Sequence, residues 1–253
     1  MTLLLALAAL WGASPAGPIP DGSRQLVTVT TAGWTATDGT LRRYARADAA
    51  DAWRPVGAPV SVVVGRSGLG WGRGLHGVMG AGPIKAEGDG RAPAGAFRLT
   101  AAFGYAASEP TGLPYVQSRR GVQCVDDRRS AFYNLVLDST AVGDRADWGS
   151  KERMRRRDRL YRIGAIVAHN GRGVADAGPG PSAPRPVAGA GSCIFLHVWR
   201  GPGSTTAGCT AMPDAALQRV LAWLDAEADP VLVQLPQSEA DRLRDPWGLP
   251  ASP

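Results

Sequence analysis

Two residues of this 253-residue chain have the types that covalent acyl chemistry needs, and they lie close together in sequence. His197 and Cys209 are 12 residues apart in the stretch GSCIFLHVWRGPGSTTAGCTAM, which spans 191–212. A thiolate attacks carbonyls readily, but a free thiol has a pKa of about 8.5 and is only a few per cent ionised at neutral pH. A neighbouring imidazolium and the positive end of a helix would each favour the anion. A fall of about two units corresponds to roughly 2.7 kcal/mol, within reach of one ion pair in a partly dry site. The spacing therefore predicts a depressed thiol pKa at Cys209 and selective alkylation there near neutral pH. Backbone N–H groups of Gly208 and Cys209 could hold an oxyanion, because Gly208 lets the backbone come close to a substrate carbonyl. A plain reading fits the same spacing: Cys209 as a small buried hydrophobe and His197 as a satisfied strand residue.

These residues need scaffolding on both sides. An apolar strand over 193–199 delivers His197, a Gly/Pro/Ser/Thr turn reverses the chain, and a helix starts near Pro213. That helix has Asp214 in its first turn and Leu217, Val220, Leu221 and Leu224 on one face. Alternating or β-branched runs at 26–30, 40–44, 59–64, 96–99, 133–137, 164–168 and 230–235 predict further short strands. The glycine-dense segment 65–90 reads as tight loops around Trp71, and 170–191 as one long loop. Short strands with one helix predict a mainly antiparallel β fold. The sequence shows no internal repeat and no second domain, and the tail over 237–253 is expected to pack loosely.

Thr206-Ala207-Gly208-Cys209, preceded by His197, resembles the active-site signature of the YkuD-type L,D-transpeptidases, a His followed by Ser/Thr-x-Gly-Cys. The stretch EGDGRAPAGAF at 87–97 is similar to that family's other familiar segment, in which a Gly-Asp loop leads into TPxGxF. The likeness covers roughly 25–235. It implies a mainly β, YkuD-like sandwich or barrel catalytic domain over 24–236 with one or two helices. It also implies a cysteine acyl-enzyme, peptidoglycan stem peptides as substrate, and neither cofactor nor metal. In such enzymes the Cys attacks the carbonyl of the residue before the terminal D-Ala of a tetrapeptide stem. D-Ala leaves, and an amine of another stem resolves the thioester as a 3-3 cross-link. By this resemblance Cys209 is the nucleophile and His197 the base, and Gly208 and Cys209 supply oxyanion N–H groups. Thr206 holds the family's Ser/Thr position, with Thr205, Arg200 and His169 as further substrate-binding candidates. Many members carry Gly after the His and Arg two residues after the Cys. Val198 and Ala211 stand at those places here, and Arg200 is the residue that could take over the grip on a stem carboxylate. Resolution by water in place of an amine would make an L,D-carboxypeptidase or endopeptidase. A domain that kept the fold without the chemistry would be a peptidoglycan-binding module.

Composition narrows the setting. Hydrophobic residues make up 44% of the chain, enough for a packed core, while 33 Gly and 20 Pro argue against a helical bundle. No apolar run approaches the ~18 residues of a membrane span. The net charge is +6 and the pI about 9.7, which suits nucleic acid, anionic lipid or an anionic wall. The basic run KERMRRRDR at 151–159 has no nucleic-acid-binding signature beside it and reads either as a solvated face or as a polyanion contact. An anionic cell wall, rather than nucleic acid, is the expected partner. LLLALAALW at 3–11 followed by small residues to Ala16 reads as a secretion signal over 1–17, although no Lys or Arg precedes it. That places the protein in the periplasm or cell wall, with a buried N-terminal helix as the alternative. The cysteines at 124, 193 and 209 lack CxxC spacing, which argues against zinc. In an exported chain Cys124 and Cys193 could form a disulfide closing a loop of about 70 residues, or remain two buried thiols. Asp126, Asp127, Lys85, Glu87 and Asp89 read as scaffold, His76 has no assigned role, and His169 either enters the cleft or caps a loop. The three histidines lack the short spacing of a metal site.

Overall fold

The computed structural model describes residues 17–77, 80–174 and 185–251. The expected signal lies outside these residues except for its last position, as does the middle of the long loop over 170–191. The protein is mainly β. Its strands in chain order are β1 (Gln25–Thr31), β2 (Asp38–Ala45), β3 (Arg54–Pro55), β4 (Val60–Val63), β5 (Leu69–Trp71), β6 (Ala92–Gly104) and β7 (Tyr115–Gln117). They continue with β8 (Val122–Cys124), β9 (Val136–Asp138), β10 (Glu152–Arg153), β11 (Ile163–Val167), β12 (Phe195–Val198), β13 (Thr210–Met212) and β14 (Val231–Pro236). The helices are α1 (Ser139–Val142), α2 (Asp214–Trp223) and α3 (Gln237–Leu243).

Eight strands close a barrel in the order β1-β14-β6-β11-β12-β13-β4-β2, and β2 returns to β1. Two barrel joints depart from the expected antiparallel pairing. β1 runs parallel to β14, with Leu26 opposite Val231, and β12 runs parallel to β13, with Leu196 opposite Thr210. Parallel neighbours cannot be joined by a hairpin and need a crossover. Between β12 and β13 the crossover is the loop over 199–209, and Cys209 lies at its end.

The longest strand, β6, sits between β14 and β11 and is buried along nearly its whole length. It feeds two cores. Phe97, Leu99 and Ala102 join Leu26, Leu41, Leu196 and Leu232 in the barrel core. Leu217, Val220 and Leu221 of α2 pack into the same core, each burial stabilising by about 1.5–3 kcal/mol. Ala101 and Phe103, with Ile166 and Phe195, instead meet Val122, Cys124, Val136 and Met154. Those last four residues belong to or adjoin a separate sheet, β10-β8-β9, which forms a flap over the barrel wall. Cys124 and Cys193 are bonded to each other, 69 residues apart with Cα atoms 5.9 Å apart, and tie the flap to the lead-in of β12. Closing so long a loop stabilises by about 4 kcal/mol in the chain-entropy account.

The remaining differences from expectation have local causes. Among the described residues there are three α-helices, where one or two were expected. The tail over 237–253 is docked: Leu243 and Trp247 lie in the barrel core, and Trp247 packs on His76. The strand expected at 133–137 begins only at Val136, because turns closed by Tyr133 N–H to Ser130 O and Leu135 N–H to Phe132 O precede it, with Asn134 at φ 63°.

Candidate functional site

His197 stands on β12 opposite Gly164 of β11 and Ala211 of β13. Gly164 is required there, since a Cβ would come within 2.2 Å of the Phe103 ring and 2.6 Å of Leu196 O. The imidazole is buried, with its Nδ1–H donated to Val198 O at 2.8 Å, which leaves Nε2 as an acceptor in the neutral ring. Its ring meets Tyr161 edge-on at 5.1 Å. Burial pushes its pKa down to about 4, so the ring is neutral at pH 7.

Cys209 is 7% exposed. Its sulfur accepts from Phe195 N–H at 3.4 Å and its S–H donates to Cys193 O at 3.5 Å. The depressed thiol pKa expected at this residue is not found. Burial, and then the Glu152 carboxylate, push it up to about 12, against smaller opposing effects of the Phe195 N–H, a Tyr161 hydrogen bond and the Lys85 charge. The physical reasons are plain. Among the described residues no hydrogen bond joins this thiol to an imidazole, and a neutral ring supplies no positive charge. The start of α2 is separated from Cys209 by β13, and its Asp214 is paired with Arg162. The resting site therefore holds a neutral thiol and a neutral imidazole.

Both residues line one cavity of about 920 Å³, shared with Tyr161, Ser192, Thr206 and Arg200. Thr206 shapes the turn. Its hydroxyl donates to Cys209 O at 2.6 Å and accepts from Gly208 N–H at 3.1 Å. The Gly208 amide is thus already engaged, a correction to its expected oxyanion role, and the Cys209 amide is the remaining candidate. Thr205 is exposed on the cavity wall. Arg200 is exposed at its edge, 3.5 Å from Asp158. His169 does not line the cavity. It is 1% exposed, accepts from Arg73 N–H at 3.2 Å through Nδ1, and donates through Nε2 to Ala190 O at 3.0 Å. It anchors the ends of two loops, and burial holds its pKa down at about 3.

Three residues that sequence reasoning passed over line the same cavity, and two of them, Tyr161 and Glu152, act on the sulfur. The Tyr161 hydroxyl donates to Glu152 Oε1 at 2.8 Å, and Arg156 donates to the same oxygen at 3.1 Å. Arg156 also pairs with Asp158 at 2.7 Å and lies over the Tyr161 ring. A signal was present in the run at 151–159: Glu152 and Met154 turn inward while Arg153 and Arg155 are exposed, the period-two alternation of a half-buried strand. The other flagged residues are structural. Lys85 is paired with Asp89 at 2.6 Å, and Glu87 accepts from Tyr133 and Ser192, tying the Gly-Asp loop to the flap. Asp127 accepts from Arg129 and Gly149 N–H, while Asp126 has a buried Oδ1 with no partner among the described residues. His76 accepts from Ala96 N–H at 3.1 Å within the aromatic core. Among the described residues no group of three His, Cys, Asp or Glu could hold a metal ion, and no helix is long and apolar enough to cross a membrane. Compared with known proteins, the chain matches no family model, no curated protein and no solved structure.

Proposed function

We propose that this protein is an exported cysteine acyltransferase of the L,D-transpeptidase type, acting on peptidoglycan stem peptides in the periplasm or cell wall. One observation carries the reading: Cys209 and His197, whose Nε2 is left as an acceptor, line the same cavity, beside a loop held by Thr206. In the first step the Cys209 sulfur bonds to the carbonyl carbon before a terminal D-Ala while a base of the site takes the thiol proton, and the C–N bond breaks as that proton passes to the departing D-Ala nitrogen. In the second, an amine of another stem attacks the thioester, the C–S bond breaks, and the proton that the amine loses returns to the freed sulfur. His197, neutral at working pH, accepts the proton that the attacking amine gives up. With a thiol pKa near 12, release of the proton to solvent is negligible at neutral pH, so a base within the site must take the thiol proton before or during attack. The exposed Arg153, Arg155 and Arg157 along the cavity edge support an anionic substrate and an anionic wall.

Incubation with a disaccharide-tetrapeptide, followed by mass spectrometry, tests the reading. A dimer lacking one D-Ala is the expected product. A tripeptide monomer identifies the hydrolytic alternative, and an unchanged substrate favours the peptidoglycan-binding module. Cys209→Ala should remove product by more than about a thousandfold while the melting temperature stays within a few degrees. Full activity in that variant ends the assignment.

A further inference from the structure

Cys209 shares its cavity with a hydrogen-bonded chain of Tyr161, Glu152 and Arg156 that does not include His197. Tyr161, 4% exposed, packs against Phe103, Phe195 and His197 and lines the same cavity as Cys209, where a hydroxyl turned to the sulfur would donate to the thiolate and lower the thiol pKa. Its proton is held by Glu152 Oε1 at 2.8 Å. Glu152 in turn is held by Arg156 at 3.1 Å and is bordered by the Asp126 carboxylate, whose Oδ1 is buried and unpaired among the described residues. Burial raises the Glu152 pKa against the Tyr161 hydrogen bond and the Arg156 charge, whereas burial lowers that of His197. The other charges facing this chain are Lys85 toward the sulfur and Asp158 and Arg200 toward His197.

We propose that Tyr161 and Glu152 form a proton relay for Cys209: the Tyr161 oxygen accepts the thiol proton as the Tyr161 hydroxyl proton passes to Glu152 Oε1. The S–H that now points to Cys193 O turns to Tyr161 for this. The products are a Cys209 thiolate, an unchanged phenol and a neutral Glu152. The proton balance closes when the same proton is returned to the nitrogen that leaves the tetrahedral adduct. The inference rests on Cys209 as nucleophile but needs no particular substrate.

Alkylation by iodoacetamide, followed from pH 5 to 10 on the full disulfide-bonded chain, tests it without any stem peptide. The thiolate–acid form and the thiol–carboxylate form carry the same number of protons, so their ratio does not vary with pH between the two titrations. The intact chain should therefore alkylate at a rate nearly flat from about pH 6 to 8. Glu152→Gln, which keeps an acceptor for Tyr161 but removes the base, should react at least about tenfold more slowly at pH 7 and gain tenfold per pH unit. A rate at or above that of the intact chain shows that Glu152 merely repels the thiolate, and a plateau that survives the substitution assigns the proton to His197; either result overturns the relay. Tyr161→Phe is the second arm, since the ring and its packing remain. It should show the same loss, and an unchanged rate there refutes the proposal by itself. Transpeptidation without any response to either variant removes the relay alone. The expected profiles without transpeptidation remove the substrate assignment alone.

Discussion

The barrel and the flap are built by different means. The barrel is a ring of hydrogen-bonded strands around side chains such as Leu26, Phe97 and Leu232, all 1% exposed or less. The flap has strands of two or three residues, one disulfide, and aspartates that bind loop amides. It is also where the charge is. The stretch 118–162 holds 12 Lys or Arg against 7 Asp or Glu, and so carries five of the net six charges. The sulfur of Cys209 sits where the two meet, with Phe195 of the barrel on one side and Cys193 of the flap tie on the other. The division teaches that the site draws on both regions: the ring fixes His197, while burial at the seam and then Glu152 of the adjoining sheet raise the pKa of the thiol.

The largest expected effect belongs to the ring. Phe97→Ala should lower global stability by about 3–5 kcal/mol, read from denaturant midpoints, with every element unfolding together. Replacing Cys124 and Cys193 together by Ala should cost up to about 4 kcal/mol, and the loss should be regional. Amide exchange should accelerate at 122–124 and 136–138 and change little in β1 and β14; uniform acceleration would erase the distinction between the two regions.

Acid sharpens the contrast in a smaller way. Hydrogen bonds from Gly149, Thr140 and Ser130 hold the carboxyls of Asp127, Asp138 and Asp147 below the usual range. Their contribution is complete above the ordinary carboxylate pKa of about 4 and is lost as pH falls through the depressed values. Trp148, which packs on Phe132 within the flap, should report loosening below about pH 4, as the emission difference from a Trp148→Phe chain. No loosening before the barrel melts would contradict it. Least of all, Arg157→Ala should change stability by no more than about 0.5 kcal/mol while weakening retention on anionic wall polymer as salt rises.

Sequence pattern carried most of the ring and little of the flap. The β-branched runs at 26–30 and 40–44 fall within β1 and β2, and that at 230–235 matches β14 to within one residue, because period-two burial writes itself into composition. The run at 96–99 understated β6, whose Ala92–Gly95 portion has no bulky alternation yet is buried on both faces. The parallel joint of β12 and β13 was not readable either, because strand direction depends on where the crossover lands. At the site, Cys209 and His197 were legible from type and spacing. Tyr161 and Glu152 were not, because they reach the sulfur through tertiary packing and a basic run masked their alternation. The sign of the thiol shift also failed, since desolvation depends on burial that no spacing reveals.

One consequence of the ring concerns its assembly. β1 near the beginning of the chain is sealed on one side by β14, with Leu26 opposite Val231 and Thr31 opposite Pro236. A ribosome must therefore synthesise the chain through Pro236 before the last gap in the ring can shut. Until then β1 has only β2 beside it and an unfilled edge. Chain closure over such a span is entropically expensive and slow, so the nascent ring stays open, and exposed to chaperones and proteases, until β14 has emerged.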